Sequence, residues 1–201
     1  MNAAGKEAHN YLVDTYFNNG LTPKLYGNER QWSILVPTTA VDTVFTWEMP
    51  GYLDIDGRGA TYFALFSSVE EFDLFNPPTM YLLSNKDAKG QQLNGSQNYR
   101  LKIPRDVPME QFWSVIAYTT EDATWFNGLS KYGVASIDQG LKVEKDGSVN
   151  VYFGPEAPDG KKNNWVPTKP GEDYFLYFRL YRPTVPFFTR QWKLNDVQKG
   201  W

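Results

Sequence analysis

The sequence predicts an all-β protein, an antiparallel β-sandwich with one or two short helices. Most of the chain consists of short runs in which apolar and polar residues alternate, as they do along a strand with one buried face. Prolines fall between these runs, where a missing N–H costs little. Aromatic residues make up 16% of the chain, and they favour the half-buried surface of a sheet. A chain of 201 residues is long enough for one such domain.

A helix is predicted at the start of the chain. Over residues 5–17 the apolar and aromatic side chains recur at helical spacing, and the Asn-Asn-Gly at 18–20 is a stop signal. A second, shorter helix is predicted to begin near Ser68, where Glu71 completes a capping box, and to end before Pro77.

Two of the strand-like runs alternate clearly. In "QWSILV" the side chains of Trp32 and Ile34 share a face. In "YRLKI" the polar side chains of Arg100 and Lys102 share a face, opposite three apolar ones. Both runs are therefore predicted to be strands with one side on the core.

A hairpin is predicted in "LKVEKDGSVNVYF". A two-residue turn at its Asp-Gly pair would place apolar and polar side chains on the same face, so that register fails. A three-residue loop at 145–147 pairs Val143 with Val149 and Leu141 with Val151, and it puts a glycine at the left-handed position. We therefore predict this loop with its bulge.

Two runs later in the chain are apolar on both faces, "FWSVIAYT" (112–119) and "YFLYFRLY" (174–181). Left bare, they would present a larger apolar patch than soluble monomers usually tolerate. We therefore expect both faces to be covered. The N-terminal helix, long loops, another subunit, an adjoining domain and a ligand all remain open as that cover.

The predicted ligand-binding surface is the part of these strands where aromatic rings stand beside an arginine. Flat rings stack on sugars and other planar ligands, and the arginine fork orients carboxylates. Packing in a core or an interface is the alternative role for the same side chains. The candidate ligand-binding residues are Trp113, Tyr118, Tyr177, Arg179 and Tyr181.

The residue inventory excludes several kinds of chemistry. The chain contains no cysteine and one histidine, His9, so disulfides, thiolate catalysis and the usual zinc sites have no side chains to use. We predict no catalytic residue, no metal site and no cofactor. The segment "DIDGRG" is similar to the start of a calcium loop, but Leu65 stands where a bidentate glutamate belongs, so calcium binding by Asp54 and Asp56 stays open.

Paired carboxylates are the one catalytic arrangement that the composition allows. Two of them could cleave a glycosidic bond if about 5–10 Å separated their carboxyl groups. The acids near aromatic strands are Glu48, Asp54, Asp56, Glu121 and Asp122.

Charge and hydropathy exclude two kinds of partner. The net charge is -3 and the chain has no basic footprint, so nucleic acid is not an expected partner. No apolar run reaches the roughly 18 residues that span a bilayer, and charged residues occupy the N-terminal stretch where a signal peptide would be apolar. The sequence therefore indicates neither a membrane span nor a signal peptide, and it leaves the compartment open.

Three segments, taken in order, carry a resemblance to a known family: "YRLKIPRDVPMEQFWSVIAYT", "DGSVNVYFGPEAPDGKKNNWVPT" and "FRLYRPTVPFF". Together they resemble domain of unknown function 1214, over residues 81–201. The resemblance implies a jelly-roll-like β-sandwich and brings no catalytic residue with it. In the family this domain usually follows domain of unknown function 1254, so residues 1–80 would be a shortened part of that neighbour, a helix plus strands packed on the sandwich as one compact unit.

One loop departs from the family pattern. It reads "TTEDATWFNGLSKYGVASID", and its Trp125 and Phe126 stand where family members more often have few aromatics. Because these rings lie close in sequence to the "FWSV" strand, we predict that they help to cover it.

The sequence as a whole favours a non-catalytic binding or assembly module. Its aromatic face would meet a partner protein or a glycan, and the partners expected are a second copy of the chain or an adjoining domain. The alternative is a carbohydrate-active enzyme with paired carboxylates in an aromatic groove.

Overall fold

The computed structural model describes residues 3–17, 24–34, 48–49, 51–53, 55 and 79–201, and within them the chain is β-rich. The α-helices of the described residues are α1 (Ala3–Phe17), before the strands, and α2 (Val185–Phe188), between the last two strands. The strands are β1 (Ser33–Ile34), β2 (Glu48–Met49), β3 (Tyr52–Leu53), β4 (Thr79–Ser84), β5 (Tyr99–Ile103), β6 (Trp113–Thr119), β7 (Gly133–Ala135), β8 (Val149–Gly154), β9 (Trp165–Pro167), β10 (Tyr174–Tyr181) and β11 (Gln198–Lys199).

These strands form two main sheets. The five-stranded sheet has the order β1-β4-β10-β6-β7, and the four-stranded sheet has the order β11-β5-β8-β9. Strands β2 and β3 pair separately. Every pair of described strands is antiparallel except β8 with β9, which run parallel. The predicted all-β class is confirmed, while a jelly-roll connectivity stays a prediction.

One hydrophobic core lies between the two sheets. Alternate residues of β10 point into it, and alternate residues of β5 meet them from the other sheet. Along β5 the burial alternates strictly, because Arg100 and Lys102 are exposed while their neighbours are buried. This confirms the predicted half-buried strand. The side chains that build the middle of this core are Leu101, Ile103, Val115, Ala117, Val151, Phe153, Leu176, Phe178 and Leu180.

The predicted N-terminal helix is present as α1, and it covers part of the second face of β10. The ring of Phe17 lies 4.9 Å from the ring of Phe175, centroid to centroid, in a smaller cluster that also holds Leu83. The chain's own helix is therefore one of the covers that the sequence left open. The second helix, predicted near Ser68, lies outside the described residues.

Residues 24–34 belong to the shared core and are tied to the C-terminal segment. The indole N–H of Trp32, which is fully buried, donates to the carbonyl oxygen of Asn195 at 2.8 Å. The backbone N–H of Leu194 donates to the hydroxyl of Tyr26 at 3.3 Å, and burial raises the pKa of that hydroxyl to about 12. A domain boundary near residue 80 stays a prediction.

The predicted three-residue loop at 145–147 is present. The N–H of Glu144 donates to the carbonyl oxygen of Ser148 at 2.8 Å, and the N–H of Gly147 donates to the carbonyl oxygen of Glu144 at 2.9 Å. Gly147 has a φ of 81°, the left-handed conformation that such a loop requires. The loop therefore closes as the sequence predicted.

The strand pairing beyond this loop was wrong. Val143 and Leu141 lie outside any strand, and Val143 is 60% exposed. The buried amide of Asn164 stands between the two chain segments instead. It accepts from the N–H of Lys142 at 2.8 Å and donates to the carbonyl oxygens of Lys142 at 2.8 Å and Asn150 at 2.9 Å. A side chain thus replaces the backbone bonds that the predicted register would have made.

Replacing Asn164 with alanine should lower the free energy of unfolding by about 3 kcal/mol, because backbone groups of Lys142 and Asn150 would lose their only described side-chain partner, the buried Asn164 amide. Urea denaturation would measure this loss. Asn163→Ala is the matched control: Asn163 is exposed, and its amide makes a single bond to the carbonyl oxygen of Gly140, so its loss should be small. Equal effects of the two variants would contradict this role of Asn164.

The carboxylate of Asp146 should make stability depend on pH. The Lys102 ammonium at 2.8 Å and the Ser148 hydroxyl and N–H hold the pKa of Asp146 well below its usual value of 3.8. A lowered folded-state pKa stabilises the fold above the unfolded value, and this contribution is lost as the pH falls through the folded value. Asp146→Asn should therefore unfold at lower urea concentration at neutral pH, with the difference from the original chain shrinking in acid. A constant difference would contradict this.

Candidate functional site

Aromatic and polar side chains gather on the outer face of the five-stranded sheet, the face turned away from the shared core. We call them the outer cluster: Tyr81, Ser114, Tyr118, Phe175, Tyr177, Arg179 and Tyr181. The strand register brings them together, because Arg179 on β10 lies opposite Tyr81 on β4 and opposite Ser114 on β6. Successive side chains of a strand alternate between faces, so these three share one face.

Four of the five candidate ligand-binding residues lie in the outer cluster, and Trp113 does not. Trp113 points into the shared core, where it is 4% exposed and stacks on Phe178 with 5.7 Å between ring centroids. Tyr181 lies at the end of β10, half-buried and stacked on Phe112 at 3.9 Å. The structure thus places Trp113 on the opposite side of the sheet from the rest.

The Arg179 guanidinium lies at the centre of the outer cluster. Its Nη2 donates to the hydroxyl of Tyr118 at 2.5 Å. Its central carbon is 5.2 Å from the ring centroid of Tyr81 and 5.8 Å from that of Tyr118, which are cation–π distances. Two tyrosine rings and one hydroxyl therefore hold the guanidinium in place.

Two donors of the outer cluster lack acceptors. The Nε of Arg179 is buried, yet it has no hydrogen-bond partner among the described residues. The hydroxyl of Ser114, which faces Arg179 across the strand pair, is likewise buried without a partner in that part of the chain. An unsatisfied buried donor costs about 1–3 kcal/mol, and these two belong to cross-strand neighbours.

Burial and charge act in opposite directions on Tyr118. Burial raises the pKa of the Tyr118 hydroxyl, and the Arg179 guanidinium offsets part of that rise. The net pKa is above the usual value of 10.0, so the hydroxyl stays protonated and neutral at physiological pH. A neutral Tyr118 leaves the positive charge of Arg179 uncompensated.

The outer cluster is covered unevenly. At one end, Phe175 is fully buried and Tyr177 is 1% exposed, beside Phe17 of α1. At the other end, Arg179 and Tyr181 are only half-buried. The accessible part of the cluster is therefore the end that carries the guanidinium.

None of the nominated acids that the structure describes belongs to the outer cluster. Glu121 and Asp122 are exposed in the turn after β6, and the backbone carbonyl of Glu121 is hydrogen-bonded to Nε2 of His9. Burial would raise the pKa of Asp122, but hydrogen bonds from the Thr119 and Thr124 hydroxyls lower it overall. Glu48 lies in β2, while Asp54 and Asp56 lie outside the described residues.

Trp125 and Phe126 divide between surface and core. Phe126 is 2% exposed and meets Tyr174 edge to face at 5.7 Å, inside the shared core. Trp125 is 50% exposed and stacks on Tyr132 at 4.8 Å. Trp125 thus packs on Tyr132, and its cover of the "FWSV" strand stays a prediction.

The candidate ligand-binding residues left out three members of the outer cluster, Tyr81, Ser114 and Phe175. Tyr81 lies on β4, whose position beside β10 depends on long-range pairing that no local pattern reveals. Ser114 was one of the few polar residues in an apolar strand, and its place on the same face as Tyr118 was the signal available.

Metal and membrane features are absent from the part of the chain that the structure describes. No three His, Asp or Glu side chains in that part come together as a metal site. No helix among the same residues has the length and apolar character to cross a bilayer.

Replacing Arg179 with glutamine should raise the pKa of Tyr118 further, because the positive charge that favours the tyrosinate would be gone. An NMR titration of ¹³C-labelled tyrosine rings would measure this pKa, and Tyr118→Phe would assign the signal. An unchanged or lower pKa in Arg179→Gln would contradict the contact between the two side chains.

Comparison with known proteins places this fold in a family. No curated protein matches the chain. The crystal structure of a Vibrio parahaemolyticus protein is 19% identical with a TM-score of 0.55, and the match covers 73% of this chain and 35% of that one. An uncharacterized Burkholderia cenocepacia protein is 14% identical with a TM-score of 0.39, over 98% of this chain and 42% of that one. The chain thus spans less than half the length of either. The family model described as "Protein of unknown function (DUF1214)" matches residues 78–185, more than half of the sequence, so the chain belongs to this family.

Proposed function

We propose that this chain is a non-catalytic binding module, which holds a carboxylate-bearing segment of a partner protein or adjoining domain against the outer cluster. The observation that carries the proposal is the buried Nε of Arg179, which has no acceptor among the described residues. A carboxylate oxygen is the natural acceptor for a guanidinium N–H, since bonds between charged groups are about twice as strong as neutral ones.

The outer cluster offers such a segment two hydrogen-bond donors with aromatic rings around them. The Arg179 Nε–H and the Ser114 hydroxyl are cross-strand neighbours, so one oxygen could accept from both. The Tyr118 hydroxyl already accepts from Arg179, which leaves the guanidinium fixed in orientation. A pre-oriented donor loses less entropy on binding, and this favours a specific contact.

A protein segment fits the cluster better than a sugar does. A sugar stacks on an open ring face, but the rings here stack on each other, Phe112 on Tyr181 at 3.9 Å and Tyr118 on Phe175 at 5.5 Å. Ring edges and aliphatic side chains pack well against other proteins. The glycan version of the function therefore has less support at this face.

A symmetric dimer through this face also has less support. A two-fold contact centred on Arg179 would set two guanidinium groups against each other, which is repulsive. A different surface that supplies a carboxylate avoids that repulsion. The Vibrio parahaemolyticus protein, of which the match covers 35%, carries a similar fold within a longer chain, and an adjoining domain is one source of such a surface.

The alternative function, a carbohydrate-active enzyme, gains no support from Asp122, the nominated acid whose pKa the structure resolves. A general acid at a glycosidic bond needs a raised pKa, whereas hydrogen bonds lower the pKa of Asp122. The outer cluster, moreover, contains no carboxylate that could form half of such a catalytic pair.

The proposal can be tested with the whole chain and two blocked tripeptides, one with glutamate between two phenylalanines and one with glutamine in its place. NMR correlation spectra of the arginine Nε–H groups would follow Arg179 directly. We expect the glutamate peptide to shift the Arg179 signal and to bind about tenfold more tightly than the glutamine peptide. Arg179→Gln should abolish the difference between the two peptides.

Arg182→Gln is the matched control. Arg182 follows β10, is exposed and pairs with Glu110 at 3.1 Å, so it removes the same charge without touching the outer cluster. An Arg179 signal that neither peptide moves would overturn the proposal. A neutral oligosaccharide that moves it when the peptides do not would replace the protein partner with a glycan.

A further inference from the structure

A second concave site lies on the other side of the molecule, at the edge of the four-stranded sheet. It is a cleft of about 480 Å³, a volume typical of small-molecule sites. The side chains of Arg100 and Lys102 reach it from the exposed face of β5, and Gln198 reaches it from β11. Arg30, Asn195 and Asp196 form the facing wall.

The facing wall is held in place by hydrogen bonds. The N–H of Gln31 donates to Oδ1 of Asp196 at 2.7 Å, and the Asn195 amide donates to the carbonyl oxygen of Lys102 at 2.8 Å. Trp32, next to Gln31, anchors its indole on the carbonyl oxygen of Asn195. These three hydrogen bonds fix the shape of the cleft, and a fixed shape lowers the entropic cost of binding.

The charges of the cleft do not cancel. Two charged side chains of the lining already have partners outside it. Glu29 forms an ion pair with Lys193 at 2.6 Å, and Lys102 forms one with Asp146 at 2.8 Å. Two guanidinium groups are left with unused donors. Arg100 has no ion pair or side-chain hydrogen bond with any described residue, and the buried Nε of Arg30 likewise finds no acceptor among them.

We propose that this cleft binds an oxyanion carried on a compact, polyhydroxylated molecule of the size of a sugar acid. Arg30 and Arg100 would hold the oxyanion, because guanidinium forks match the geometry of carboxylates, sulfates and phosphates. The Asn195 and Gln198 amides offer both donors and acceptors to hydroxyl groups. The described lining holds no aromatic ring, so a polar ligand fits it better than an apolar one.

Asp196 opposes the binding of an anion in this cleft. Burial raises the pKa of its carboxyl, while the Gln31 N–H and the charges of Arg30 and Lys24 act in the opposite direction. When ionised, this carboxylate repels an anion in the cleft. Its removal should therefore tighten binding, whereas loss of either arginine should weaken it.

This site is independent of the outer cluster. Arg100 projects from the outer side of the four-stranded sheet and Arg179 from the outer side of the five-stranded sheet, with the shared core between them. Failure of one site therefore leaves the other untouched, and either can be tested alone.

Isothermal titration calorimetry of the whole chain at low ionic strength would test the cleft, with sodium glucuronate, its neutral counterpart glucose and sodium sulfate as probes. We expect glucuronate to bind, sulfate to bind more weakly and glucose to show no heat. Arg30→Gln and Arg100→Gln should each weaken glucuronate binding about tenfold, the effect of one lost charged hydrogen bond. Asp196→Asn, whose amide oxygen can still accept from Gln31, should bind glucuronate more tightly.

Lys199→Gln is the matched control, because Lys199 adjoins Gln198 on β11 and is exposed but lies outside the described lining. It should bind glucuronate as the original chain does. An equal loss in Lys199→Gln would reduce the effect to general charge and overturn the site. Equal affinity for sulfate and glucuronate would overturn the sugar-acid assignment, and silence from both anions would overturn the proposal entirely.

Discussion

The rest of the structure depends on the pairing of β10 in the middle of the five-stranded sheet. This eight-residue strand is buried on both faces, with β4 on one side and β6 on the other. Its inward side chains complete the core against the four-stranded sheet, and its outward ones complete the smaller cluster with α1. One strand thus joins three layers, so a shift of its register by one residue would move all of its side chains to the wrong face.

A strand in this position places constraints on the one charged residue it contains. Arg179 cannot reach water as freely as a surface arginine does, so neighbouring rings and a hydroxyl must take over part of its solvation. Those neighbours provide no hydrogen-bond acceptor for the Nε of the guanidinium. Such incomplete satisfaction is costly for stability, and this cost is the ground on which we proposed a binding role for the cluster.

Local pattern predicted the elements well, and partnering across the chain less well. Helix α1, the alternation along β5 and the left-handed glycine at 147 follow from periods and backbone preferences within a few residues. The parallel pairing of β8 with β9 and the insertion of Asn164 depend on segments far apart in sequence, where no period applies. The site divides in the same way: alternation separates Trp113 from Tyr118, but only strand order brings Tyr81 to Arg179.

The shortness of the outermost strands limits how this molecule can meet another. In the described part of the chain, β7, β9 and β11 form sheet margins, with lengths of three, three and two residues. A visiting strand that adds to a sheet needs a longer row of free backbone groups than these margins supply. These three margins therefore discourage open-ended stacking of sheets into fibres, and a partner bound as proposed would meet side chains on the broad sides of the sandwich.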